Sequence, residues 1–196
     1  MDWKASHFVG HHLALDFVNT IGDRHERPWE DRIATPEALA SWCGAALAFH
    51  DRPPVPDGPV TLTDDGVALV RDLRESLLAS VLDRRTGASP DGTQMAALYG
   101  RVHEGLATGG IGFADPGTGA AAAVLLRLDD PAVLGFLAWQ GIDVLTRVPP
   151  RRLGACPRCG WVFRDITKAG RRRWCSMAAC GNREKARRHR AAGTQS

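Results

Sequence analysis

Apolar positions recur three and four residues apart through most of the first 150 residues, the period at which side chains share one face of an α-helix. Leu39, Trp42, Cys43 and Ala46 form one such stripe, and Thr35-Pro36-Glu37 ahead of it supplies an N-cap with proline in the first turn. Thr63-Asp64-Asp65 caps a second, longer helix that turns Val67, Val70, Leu73, Leu77 and Val81 inward. A third lies near residues 93–107, where Met95, Leu98, Tyr99, Val102 and Leu106 recur. A fourth starts at Asp129-Asp130-Pro131 and points Leu134, Leu137, Ala138, Gly141, Ile142 and Leu145 to the core. Pro53-Pro54-Val55-Pro56-Asp57-Gly58-Pro59 excludes a helix between the first two. Ile111 to Ala114 and Ala122 to Leu128, on either side of Asp115-Pro116-Gly117-Thr118-Gly119, predict an antiparallel hairpin. The glycines of that turn lack the Lys-Ser/Thr of a P-loop and the third glycine of a dinucleotide fingerprint. Helices with short antiparallel strands make the fold class α+β.

Pro149-Pro150 stops the last helix, and charge changes sign at the same place. Residues 1–150 carry 12 Lys and Arg against 20 Asp and Glu, whereas residues 151–196 carry 13 against 2. A net charge of −8 is followed by one of +11. The expected organisation is therefore an acidic domain over 1–150 and a small basic domain over 151–196 that seeks phosphates. Only three lysines occur (Lys4, Lys168, Lys185), and codon usage in a GC-rich genome explains arginine over lysine. It does not explain arginines crowded at one end. No run approaches the ~18 apolar residues of a membrane span, and the N-terminus has no apolar signal-peptide region. A cytoplasmic protein with reduced thiols is expected.

Reduced thiols give the basic segment its chemistry. Cys156-Pro157-Arg158-Cys159 and Cys175 to Cys180 place two pairs of thiolates at spacings that let all four converge on one ion. The cofactor expected is one structural Zn2+, which leaves the segment at +9. Gly160 permits the tight turn of a knuckle, and Trp161-Val162-Phe163 alternates as a strand. Arg171-Arg172-Arg173-Trp174 is a candidate second strand, and a helix follows from the Cys175–Cys180 span to about residue 191. On that helix Arg183, Arg187 and Arg190 share a face. Knuckle, hairpin and helix in this order form a treble-clef-like finger whose core is the metal.

Cys156-x-x-Cys159, Trp161, Phe163 and Asp165, then Arg172-Arg173-Trp174-Cys175-Ser176-Met177 and Cys180-Gly181-Asn182-Arg183, closely resemble the CGNR zinc-finger family. In that family the finger commonly follows a domain called ABATE, a stress-induced transcription regulator by description. Leu13-Ala14-Leu15-Asp16-Phe17-Val18-Asn19-Thr20 is similar to the opening motif of that domain. Thr167 stands where the family pattern would have serine, and it keeps the hydroxyl. The resemblance implies a bacterial transcription regulator whose finger binds DNA and whose larger domain senses a small ligand.

The candidate DNA contacts are Arg171, Arg172, Arg173, Arg183, Lys185, Arg187, Arg188 and Arg190, with base readout assigned to the helix. The arginine triplet either grips phosphates or only solvates the finger. Trp161 and Trp174 either stack on bases, as in RNA and single-strand binders, or form the finger's small core. Asp16 and Asn19 either bond to the chain or line a ligand pocket; His11-His12 with Asp16 is a weaker metal candidate. One finger limits specificity, so a homodimer or a second DNA contact is expected. The alternative is an RNA-binding or translation-associated zinc protein. Catalysis is not expected: Cys43 reads as a buried small hydrophobe, residues 1–150 show no nucleophile–base motif, and four thiolates leave zinc no open position.

Overall fold

The computed structural model describes residues 2–113 and 123–193. The Asp115–Gly119 turn, with Ala114 and Ala122 at its ends, lies outside the described residues. Four helices start where a capping side chain accepts a hydrogen bond from the first turn, three of them at the Thr35, Thr63 and Asp129 caps that the sequence predicts. Thr35 Oγ1 accepts from Ala38 N at 3.2 Å at the head of α2 (Pro36–Phe49). Thr63 Oγ1 accepts from Gly66 N at 3.0 Å at the head of α3 (Asp64–Arg85). Asp91 and Asp129 do the same, at 2.9 Å each, for α4 (Gly92–Ala107) and α5 (Asp130–Arg147). A shorter helix, α1 (Leu13–Val18), precedes them and is buried along its whole length.

α5 is the central element, and α4, α3 and α1 pack around it. α4 lies closest because Gly105 and Gly135 face each other; a Cβ on Gly135 would stand 2.8 Å from the Arg101 carbonyl oxygen. On α4 the inward set is Leu98, Val102 and Gly105, while Tyr99 and Leu106 face solvent. The periodicity over 93–107 was thus one residue too generous on each turn: the narrow glycine contact leaves room for a thin stripe only.

Two small sheets flank the helices. β2 (Ile111–Phe113) pairs antiparallel with β3 (Ala123–Leu125), Ile111 opposite Leu125. The segment 122–128 is not one strand, because Leu128–Asp129 forms a separate β4 that pairs in parallel with β1 (Val60–Thr61). That parallel pair lies outside the antiparallel expectation. Asp130 ties the same ends together, its carboxylate accepting from Thr63 N at 3.0 Å and Thr63 Oγ1 at 2.6 Å.

The C-terminal segment opens with a hairpin of β5 (Leu153–Ala155) and β6 (Val162–Arg164), paired antiparallel with Gly154 opposite Phe163. Residues 171–174 form no strand. The partner of β6 is the segment before the knuckle rather than the arginine run after it, because a four-residue knuckle returns the chain directly onto its own approach. The chain ends in α6 (Asn182–Gly193). Leu153 and Val162 are buried in the same apolar core as the helices, so this hairpin is anchored in the body. No helix among the described residues is long and apolar enough to cross a membrane.

Candidate zinc centre and nucleic-acid face

The four cysteines come from two elements that aim their sulfurs at one point. Cys156 and Cys159 sit at the tip of the β5–β6 hairpin, where Gly160 takes φ +74°, a conformation open to glycine, and donates its N–H to the Cys156 carbonyl at 2.9 Å. Cys175 precedes and Cys180 lies within a single π-turn, Met177–Gly181, capped by Ser176 Oγ on Ala179 N at 3.2 Å and closed by Gly181 N to Ser176 O at 3.0 Å. The additional residue in that turn swings Cys180 toward the other three thiols before α6 begins.

All four Sγ atoms lie within 4.8 Å of one another, and Cys175 Sγ is 3.5 Å from both Cys159 Sγ and Cys180 Sγ. A tetrahedron with Zn–S bonds of ~2.3 Å has edges of about 3.8 Å, which falls within the range of these sulfur separations. All five cysteines are free thiols, and no two sulfurs of the cluster are at bonding distance. Burial holds the Cys180 thiol above its ordinary range, and a cation at the cluster favours its thiolate. The four cysteines hold one structural Zn2+. Cys43 is remote from them and buried, its thiol pushed up to about 12 by desolvation.

Around the zinc centre the body and the finger are joined by a ring of polar contacts. Asn19, at the end of α1, donates Nδ2 to the Val162 carbonyl at 2.8 Å and accepts from Val162 N at 2.9 Å. Trp161 Nε1 donates to the carbonyls of Ile21 at 2.7 Å and Gly22 at 2.9 Å. The Cys159 carbonyl accepts from Arg24 N at 3.0 Å, and the Gly10 carbonyl accepts from Arg164 N at 2.8 Å. Arg158 pairs with Asp23 at 2.5 Å and Glu26 at 3.0 Å. None of these joints is visible in the charge pattern. The motif that opens at Leu13 contains Asn19, but nothing in the sequence says which strand it meets.

Asp16 is likewise taken up inside the fold, accepting from Gly10 N at 2.7 Å and meeting His50 Nε2 at 2.9 Å. His12 instead meets Asp143 at 3.0 Å. The His11, His12 and Asp16 set therefore does not assemble, and the cysteine cluster is the one group of three or more metal-ligating side chains among the described residues.

The predicted DNA-contact residues divide into three groups. Arg172 turns inward: it donates to the carbonyls of Val9 (2.8 Å), Trp174 (3.0 Å) and Cys175, and its guanidinium lies 4.2 Å over the Phe163 ring. That places it in the finger's frame. Arg171 and Arg173 beside it are exposed, Arg173 lying over the Trp174 ring at 4.8 Å. Asp165 shapes this loop, accepting from Thr167 N at 2.8 Å, Thr167 Oγ1 at 2.7 Å and Arg172 N at 2.8 Å. The Thr167 hydroxyl thus does the work expected of serine at its place in the pattern.

The third group is carried by α6. From Asn182 to Ala191 no residue of this helix is buried, and only Glu184 is half-covered. Arg183, Lys185, Arg187, Arg188 and Arg190 stand against the single acid Glu184. Glu184 accepts from Arg187 at 2.9 and 2.8 Å and from Arg188 at 3.0 Å, which holds its carboxyl down to about 2. α6 is therefore a strongly cationic rod attached to the zinc centre at its N-terminus.

The CGNR zinc-finger family matches residues 152–192. A second family, ABATE, whose description reads "putative stress-induced transcription regulator", matches residues 11–148. No curated protein matches this chain. The matched segments account for both the helical body and the zinc centre: the chain belongs to the ABATE family and ends in a CGNR zinc finger.

Proposed function

We propose that this regulator binds duplex DNA through its zinc finger, with α6 as the reading element and Arg171 and Arg173 gripping phosphates. The observation that carries the reading is α6 itself. A helix that buries none of its residues from Asn182 to Ala191 and bears five cationic side chains adds little to the core, and an isolated helix of 12 residues is marginal in water. Its N-terminus is tied to the zinc centre by the π-turn, which presents its outer faces to a partner with a dense array of negative charge. Arg183 and Lys185, which have no carboxylate within salt-bridge distance among the described residues, are the candidates for base edges, while Arg187 and Arg188 are held in a fork by Glu184.

Duplex DNA fits better than single-stranded RNA because the aromatic side chains are committed elsewhere. Trp161 is 9% exposed with its N–H bonded to the body, and Trp174 is half-covered beneath Arg173, so neither offers a free ring for base stacking. In this reading the body supports the finger through Asn19 and Trp161, and a small ligand acts on DNA binding through that same joint. Replacing Arg183 and Arg187 with alanine tests the assignment of the helix. DNA affinity should fall with zinc content unchanged, and an unaltered affinity overturns the role given to α6.

A further inference from the structure

The geometry points to a second phosphate-gripping surface that lies partly outside the finger: a groove of about 690 Å³ between the end of α3 and the zinc knuckle, whose occupant is the backbone of the same DNA duplex. This inference rests on the DNA reading above and extends its face onto the body.

Arg85 comes from the last turn of α3, Arg151 from the short 3-10 turn that leads into β5, and Arg173 from the loop before Cys175. His25 and the inward-turned Arg172 complete the basic lining. Asp165 is the one acid on the groove, and it is buried and already bonded to Thr167 and Arg172. The free groups of the groove are therefore cationic.

What distinguishes these arginines is that they are unpaired. The body is acidic, and most of its arginines sit on carboxylates: Arg24, Arg32, Arg71, Arg74, Arg101, Arg127 and Arg147 all do. Among the described residues Arg85, Arg151 and Arg173 have no carboxylate within 4.0 Å, and all three are exposed. Arg84, one position earlier, already serves the end of α3 by donating Nε to the Leu145 carbonyl at 3.1 Å, so Arg85 is not needed there. Leaving several cations adjacent and unpaired on an acidic protein costs self-repulsion that a bound polyanion relieves.

The arrangement suits a row of phosphates rather than one small anion. Its donors are exposed and come from three separate elements, with none enclosing a point. It is also continuous with α6, because Arg173 lies over the Trp174 ring, and the edge of that ring stands 3.2 Å from the Cβ position of Gly181 at the head of the helix. Phosphate contacts of this kind set the register of a reading helix on the duplex. They also provide the second DNA contact that a single finger needs.

The test is the salt dependence of full-length, zinc-loaded protein binding to a duplex, comparing wild type with an Arg85→Ala/Arg151→Ala variant. Each phosphate contact removed should make the slope of log K against log[salt] shallower by about 0.9, and the pair by about 1.8. Both side chains are exposed, so zinc content and unfolding midpoint should not move. Arg101→Ala removes one positive charge from α4 and should leave the slope as it is. The groove is overturned, with the DNA reading intact, if its variant binds like wild type while Arg183→Ala/Arg187→Ala weakens binding. Both fall if neither variant changes binding. The groove is also overturned if Arg101→Ala shifts the slope equally, or if the groove variant loses affinity for a structured RNA and not for the duplex.

Discussion

Asn19 shows how one side chain joins two segments of this molecule. Its amide makes both ladder-type bonds to Val162 in a buried setting, so it acts as a one-residue strand against β6. Asn19→Ala leaves a buried N–H and carbonyl without partners, a loss of about 2 kcal/mol in unfolding free energy by urea titration. Arg74 performs a similar service on the body. It is 2% exposed and bonds Asp31 at 2.9 and 2.8 Å, Glu75 at 3.0 Å and Thr20 at 3.1 Å. Burial pushes the Asp31 carboxyl up, but the hydrogen bonds and charge of Arg74 outweigh it and hold the group below its ordinary 3.8. A carboxyl lowered on folding stabilises above its unfolded value, and that contribution is lost as pH falls through the folded one. Arg74→Met should therefore cost about 3 kcal/mol at neutral pH and shift acid unfolding to higher pH. Denaturant melts at successive pH values measure both effects. Arg74 was illegible in the sequence: on the α3 stripe it occupies the position after Leu73, and only the fold reveals that Asp31 comes to meet it.

At the scale of elements, the helices were readable because cap and stripe coincide. Thr35, Thr63 and Asp129 are caps in the sequence and caps in the structure. What escaped was close approach and pairing between elements. Gly105 and Gly135 bring α4 onto α5, and β1 meets β4 in parallel, neither of which periodicity encodes. Gly135→Ala would drive a methyl against the Arg101 carbonyl and should destabilise the body by about 1–3 kcal/mol in a thermal or urea melt. The zinc ligands were legible from spacing, yet the partner of the strand after the knuckle was not, since the arginine run and the segment before Cys156 are both short enough to pair. α6 should depend on the metal, because it buries none of its residues from Asn182 to Ala191. Chelating zinc, or replacing Cys175 with alanine, should melt α6 and reduce the circular dichroism at 222 nm by that helix's share, while the α5-centred core stays folded. An unchanged helical signal would contradict the anchoring of α6 by zinc.

For the whole molecule, the sequence reads as an acidic body followed by a basic finger, and the charge boundary at Pro149-Pro150 is real in composition. The structure adds that the two are packed on one another through Asn19, Trp161 and Arg158, and that Leu153 and Val162 enter the helical core. A chain built this way carries its finger on a fixed support, with the helical body of the ABATE family next to the zinc centre. If α6 binds DNA as proposed, the short polar joint links the body to that binding, and weakening it with Asn19→Ala should lower DNA affinity even though Asn19 touches no DNA in this reading.

The central claim is that a zinc-anchored cationic face binds duplex DNA. The most direct measurement is the affinity of full-length zinc-loaded protein for a duplex across a salt series, repeated after zinc removal. The account predicts a steep negative slope of log K against log[salt], with the slope divided by ~0.9 giving the phosphates neutralised, and weak binding once zinc is gone. Absence of binding at low salt, or binding that survives zinc removal undiminished, would contradict it.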